Sequence, residues 1–239
     1  MIESMRQFYS NRDPEAELKR LQRRIPSCQK CLRLVSYLDE VSNRKPKRYR
    51  QWNYWSKPLP SFGDPQASLL IIGLAPAANG GNRTGRMFTG DRSGEWLFRA
   101  LYEFGFANQS HSVRRDDDFA LNDCYITATI RCAPPDNKPL PEEVEKCRPY
   151  LLKELELLKN VKVVIPLGQI AFNQTLKALR LKGWDIPSLA FGHGKVYPLP
   201  NGQTMITTYH PSQQNTQTGK LTKTMFHKIF RMARRSLEG

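Results

Sequence analysis

SLLIIG, from Ser68 to Gly73, and the loop LAPAANGGNRTGRMFTGD that carries it on to Asp91 decide the fold. Leu69, Leu70, Ile71 and Ile72 leave no polar position on either face, so a strand here is buried on both sides. Such a strand belongs inside a parallel sheet covered by helices. Gly73 ends the run. A Gly/Asn/Thr-rich loop then leads to residues 92–105, where Trp96, Leu97, Ala100, Leu101 and Phe104 share one face of a helix.

The same alternation extends outward. DCYITATI (123–130) reads as a strand by its β-branched content, VKVVIPLG (161–168) as a third and TMITTY (204–209) as a fourth. Helices are expected over 14–24 behind the Asp13-Pro14 start signal, over 141–160, from 168 to about 181, and over the closing KLTKTMFHKIFRMARRSL. Pro149 is expected to break or kink the helix over 141–160. In the closing helix Met225, Phe226, Ile229, Phe230 and Ala233 form the apolar stripe. Residues 40–58 carry no apolar period and read as a long loop. The pattern is a parallel α/β sheet with helices on each side, whose site lies beyond the carboxyl ends of the strands. Those ends run into the Gly-rich loop, the CAPPDNKPLP loop (132–141) and YHPSQQNTQTG (209–219). With no internal repeat and no low-complexity linker, residues 1–239 are expected to form a single domain.

Lys and Arg number 37 against 22 Asp and Glu, a net charge of +15. That balance favours a polyanionic partner, because each neutralised phosphate releases counterions. No apolar stretch approaches a membrane span, and the N-terminal MIESMRQFYSNRDPEAELKRL is mixed-charge and helical in pattern rather than a signal peptide. A cytosolic setting is expected, in which five cysteines are not a disulfide framework. Cys28 and Cys31 form a C-x2-C pair, and Cys132 and Cys147 are separated by fourteen residues. Four thiolates from two distant segments can close on one centre, either zinc or iron–sulfur, with a structural role. Cys124, inside a strand, reads as a buried free thiol.

The Gly-rich loop lacks the G-x-x-x-x-G-K-[ST] order, which excludes a P-loop nucleotidase. Its glycines let backbone approach a flat ligand, Phe88 offers a ring for stacking, and Asp91 offers a carboxylate beside a helix start. GLAPAANGGNRTGRMFTGD, the four cysteines, RCAPPDNKP, FGHG and YHPSQQNTQTG together resemble the family 5 uracil-DNA glycosylases, the B-type enzymes of thermophilic bacteria and archaea. The likeness spans residue 28 to about 222. Family 4 enzymes share the cysteine frame but carry GEAPG and an FVGRAG-like string where this chain has Gly73-Leu74-Ala75-Pro76-Ala77 and Phe88-Thr89-Gly90-Asp91.

The resemblance implies a three-layer α/β/α fold with a four-stranded parallel sheet, and excision of uracil and other deaminated bases from DNA. It implies a structural [4Fe–4S] cluster on Cys28, Cys31, Cys132 and Cys147, which ties residues 1–60 to the core. Phe88 then stacks on the extruded base, with Gly73 and Ala75 lining its place. Asp91, Asn137 and His210 are the polar catalytic groups. The family usually has His where this chain has Asn79. Asp91 suits the orientation of water against a cationic sugar, and its other reading is a helix N-cap; His210 suits donation to the base carbonyl, either as neutral imidazole or as imidazolium. Asn137 reads as a base-edge contact or as a turn residue, and His193 as a turn histidine. Gln213, Gln214, Asn215 and Gln217 are placed to bond the orphaned partner base or the backbone.

Arg44, Lys45, Lys47, Arg48 and Arg50, interleaved with Tyr49, Trp52, Tyr54 and Trp55, either track a DNA strand by charge and stacking or pack their rings on the core with the cations in water. The expected partner is DNA containing deaminated bases, met by a monomeric prokaryotic protein at the nucleoid. The sequence carries no support for a sliding-clamp partner, and no membrane is expected. The alternatives are a uracil-restricted family 4-like enzyme and a noncatalytic Fe–S or zinc nucleic-acid-binding protein.

Overall fold

A computed structural model describes residues 13–239, so the helical pattern expected over the first twelve residues lies outside the described part. Six strands form one sheet in the order β1-β3-β2-β4-β6-β5: Phe62–Gly63 (β1), Leu69–Gly73 (β2), Cys124–Ala128 (β3), Val163–Pro166 (β4), Val196–Pro198 (β5) and Thr204–Ile206 (β6). β3, β2, β4 and β6 are mutually parallel. They are the four strands legible in the sequence. β1 and β5 add antiparallel edges beyond those four. Edge strands of two and three residues carry too little pattern to separate them from loops.

Alternate residues of β2 enter different cores. Leu69 and Ile71 meet Leu97, Phe98 and Leu101 of α4 (Arg92–Glu103) and Phe226, Ile229 and Phe230 of α8 (Lys223–Glu238). Leu70 and Ile72 meet Leu18 of α1 (Pro14–Arg24), Leu151 and Leu157 of α5 (Pro141–Leu157), and Ala178 of α6 (Gln169–Leu181). The period of two along a strand therefore builds the α/β/α layers.

The helix starts are chemically explicit. Asp13 accepts from Glu15 N–H at 3.1 Å with Pro14 in the first turn, and the Thr222 hydroxyl accepts from Met225 N–H at 3.2 Å.

Four local expectations are corrected. Residues 40–43 are the end of a helix, α2 (Leu32–Asn43), which buries Leu34 and Leu38; the chain leaves that helix only at Arg44. Pro149 does not break α5, which continues through it with Cys147, Arg148 and Leu151 buried around it, so packing outweighs one lost backbone bond. The segment after His210 contains a helical turn, α7 (Gln213–Gln217), capped by the Ser212 hydroxyl accepting from Asn215 N–H at 3.3 Å. A short turn, α3 (Gly81–Thr84), likewise interrupts the Gly-rich loop.

The chain goes from β2 to β3 on one side and then returns to β4 on the other. Connections therefore diverge at the carboxyl ends of β2 and β4, the crevice where open α/β sheets hold ligands.

Candidate active site at the carboxyl edge of the sheet

Gly73 ends β2, and the Phe88 ring lies directly against it: a Cβ there would stand 2.9 Å from the ring. Phe88 is buried and has φ +60°, a left-handed backbone that an aromatic residue adopts only when its surroundings hold it. Gly94 does so from below, since a Cβ on it would collide with the Phe88 carbonyl. The ring is thereby laid over the strand end. Ala75 is half-buried and packs toward the cysteine side of the loop rather than toward Phe88.

Asp91 is the N-cap of α4, its Oδ1 accepting from Gly94 N–H at 2.8 Å. Its Oδ2 lies over Gly80, where a side chain would strike the carboxylate. Burial pushes its pKa up to about 6, against the pull of backbone N–H groups from Gly94 and Ser93. The cap occupies Oδ1 and leaves Oδ2 facing Gly80.

His210 stands beyond β6, beside the end of β4. Gly168 there has φ +88°, and a Cβ on it would meet the His210 Cβ at 3.0 Å. Burial pulls the imidazole down to about 4, so at neutral pH the ring is uncharged. Asn215 does not reach outward as expected. Its Nδ2 donates to the His210 carbonyl at 2.9 Å, while its own backbone carbonyl accepts from Leu221 N–H at 2.9 Å. It holds the histidine loop instead, and Gln213, Gln214 and Gln217 remain exposed.

His193 also belongs here, although its sequence context marks only a turn. Its Nδ1 accepts from Tyr209 N–H at 3.3 Å and its ring packs on Tyr209 with centroids 5.2 Å apart, fixing the residue before His210. The FGHG string is the available signal. Asn137 is exposed, with φ +57° in the turn Pro135–Asn137 of the loop after β3. It is not brought into hydrogen-bond contact with Asp91 or His210.

The rings of the basic-aromatic segment are half-buried, and one of its cations, Lys45, turns inward to donate to the Trp52 carbonyl at 2.8 Å. Tyr49 and Trp52 pack on Arg83, the Tyr54 hydroxyl donates to Asn79 Oδ1 at 2.8 Å, and Trp55 covers Gly85. Arg44, Lys47, Arg48 and Arg50 lie at the surface or partly so.

On the other flank, Cys28, Cys31, Cys132 and Cys147 line one cavity with Lys30, Arg131, Lys146 and Tyr150. Cys132 and Cys147 are buried, and Cys28 and Cys31 are half-buried. Burial and the neighbouring thiols raise Cys132 well above the ordinary thiol range; burial likewise pushes Cys147 up to about 11, although Arg131 opposes it. Among the described residues, no three or more His, Cys, Asp or Glu side chains are gathered closely enough to hold a single metal ion. The thiols surround a space instead of meeting at a point. Cys124 is buried in β3, apart from them.

A sequence model of the uracil DNA glycosylase superfamily matches residues 60–234. A type-5 uracil-DNA glycosylase of Thermus thermophilus is 46% identical over 211 residues, covering 88% of this chain and 94% of its own. One from Pyrobaculum aerophilum is 44% identical over 211 residues, covering 88% and 89%. A type-4 uracil-DNA glycosylase of Archaeoglobus fulgidus is 31% identical over 158 residues, covering 64% and 70%. The chain belongs to the uracil DNA glycosylase superfamily and, within it, to the type-5 group.

Proposed function

We infer that this protein hydrolyses the N-glycosidic bond of uracil in DNA and leaves an abasic site. The observation that carries the reading is the pair of loops at the sheet's carboxyl edge. One presents a half-buried carboxylate close to a buried aromatic ring, and the other presents a neutral imidazole. A base inside a duplex must be turned out before these groups can reach it.

The C1′–N bond then breaks with its electron pair leaving on the base, and the sugar takes on oxocarbenium character. Asp91, anionic above its raised pKa, faces the cationic sugar and orients water; hydroxide adds to C1′ and the water's proton passes to the carboxylate. The His210 ring donates a neutral N–H to the base carbonyl as negative charge grows there. Phe88 carries the base face. Asn137, exposed on the loop after β3, would reach the base edge by closure of the 132–141 loop over the bound nucleotide. A ring platform and neutral donors select for a carbonyl-bearing base more than for one shape, so we extend the reading to other deaminated bases.

We also propose a structural [4Fe–4S] cluster on Cys28, Cys31, Cys132 and Cys147. The four thiols line one cavity, an all-Cys donor set suits an iron–sulfur centre, and Lys30, Arg131 and Lys146 beside them would offset the charge of four thiolates. When bound, the cluster supplies a cross-link among α2, the loop after β3 and α5, and no chemistry at the base. Protein that is brown, with iron and acid-labile sulfide, supports this; colourless protein with stoichiometric zinc refutes it.

The glycosylase reading is tested on uracil-containing duplex. Strand breaks that appear only after alkali are expected, together with released uracil. DNA left intact, with binding retained, would mark a noncatalytic nucleic-acid-binding protein. A panel of hypoxanthine, xanthine and modified pyrimidines in single and double strands then sets the base range.

A further inference from the structure

Arg83 lies in the α3 turn of the Gly-rich loop and is only 4% exposed. Its guanidinium packs against the rings of Tyr49 and Trp52, at 4.1 and 4.0 Å from their centroids. Nε donates to the Asn79 carbonyl at 2.8 Å and Nη2 to the Gly90 carbonyl at 3.0 Å, while the buried Nη1 has no hydrogen-bond partner among the described residues. Among the described residues no carboxylate forms an ion pair with it. A buried cation without an ion-pair partner is costly, and two aromatic faces offset only part of that cost. The loop is built to keep it: Gly90 has φ +73°, and a Cβ there would strike Nη2.

Gly90 is the residue before Asp91. The carboxylate whose charge bears on Arg83 is Asp91; the other titratable groups facing the guanidinium are Tyr49 and Tyr54. From its own side, Asp91 faces Arg83 and Glu95, with opposite effects. We propose that Arg83 is the positioning residue of the catalytic carboxylate: through the Asn79 and Gly90 carbonyls it fixes the backbone that carries Asp91, and it supplies the buried positive charge beside it. The Tyr49–Trp52 clamp is then part of the catalytic machinery at one remove, which gives the basic-aromatic segment a task other than stacking on DNA.

This inference rests on the glycosylase reading and is tested by single-turnover release of uracil from duplex across pH 5 to 8.5 (roughly the span that brackets Asp91). Arg83→Gln removes the charge and is expected to move the acid limb upward by a resolvable fraction of a pH unit, with a plateau about tenfold lower. Arg83→Lys keeps the charge but loses the two-carbonyl fork, so its limb stays near the wild-type position while its plateau falls. A merely structural role would lower stability and amplitude without moving the limb in one variant and sparing it in the other.

Limbs and plateaus matching wild type in both folded variants would overturn the proposal. If Arg83→Gln does not fold, an Arg83→Lys plateau at the wild-type value overturns it alone. A wild type that releases no base removes the glycosylase reading and this inference together. An active wild type with indifferent Arg83 variants removes only this one.

Discussion

The Phe88 ring occupies the space that a side chain on Gly73 would need, with only 2.9 Å between the ring and a Cβ placed there. Gly73→Ala must therefore push the ring off the strand end. Uracil release is expected to fall about tenfold or more, mainly in the chemical step, because the stacked base is displaced from the carboxylate. Stopped-flow single turnover separates this from weaker DNA binding. A variant as fast as wild type would mean that the ring is not the base platform.

On the proposed mechanism, Asp91 dictates the pH dependence. Its pKa, raised to about 6 by burial, means that the carboxylate is lost as pH falls through that value. The rate should drop about tenfold per pH unit below the limb. The same shift has a stability consequence. A carboxyl with a raised folded pKa favours the fold most at low pH, and that stability is lost as pH rises from the unfolded value of 3.8 to about 6. Asp91→Asn keeps the cap on Gly94 and removes the buried charge. Its melting temperature should exceed wild type by about 3 °C or more at pH 7.5, with the gain gone at pH 4. Calorimetry at the two pH values checks the sign.

His210 should contribute no limb between pH 5 and 8, because burial keeps its ring neutral down to about 4. His210→Gln retains a neutral donor and is expected to keep more activity than His210→Ala, which should lose about 10²–10³-fold. Ring NMR of His210 showing titration near pH 6.5 would contradict the neutral-donor role.

The four parallel strands, the helix at Arg92–Glu103 and the cysteine pairs are legible in the sequence because each is a local pattern: an apolar run, a helical stripe, a spacing. β1 and β5 are not, being edge strands too short to show alternation. α2 is missed altogether, because Leu34 and Leu38 are its only buried residues and the cations after residue 43 draw its end toward loop. Sequence also hides charge that folds inward. Arg83 meets rings more than thirty residues upstream, and Glu154 looks like one more exposed carboxylate of an acidic helix. Asn215 misleads for a related reason: an amide in a polar loop advertises a ligand, and only the fold reveals that the His210 carbonyl already uses it.

Glu154 is fully buried and holds Arg131 at 2.5 Å, with Ser61 at 2.6 Å and Thr127 in the same network. Removing it strands a buried guanidinium between the sheet and the cysteine cavity. Glu154→Ala is expected to cost about 3–5 kcal/mol, a melting-temperature loss on the order of 10 °C. Denaturant titration measures it, and a loss below about 1 kcal/mol would show that the pair is dispensable.

The glycosylase mechanism stands or falls on Asp91 and His210 closing on a single extruded base. A crystal structure of Asp91→Asn bound to uracil-containing duplex is the decisive measurement. Uracil is expected out of the helix and flat on Phe88, with a carbonyl oxygen at hydrogen-bond distance from the His210 ring and C1′ facing residue 91. Uracil still stacked in the duplex, or bound away from the carboxyl edge with His210 and residue 91 on different sides of it, would refute that mechanism.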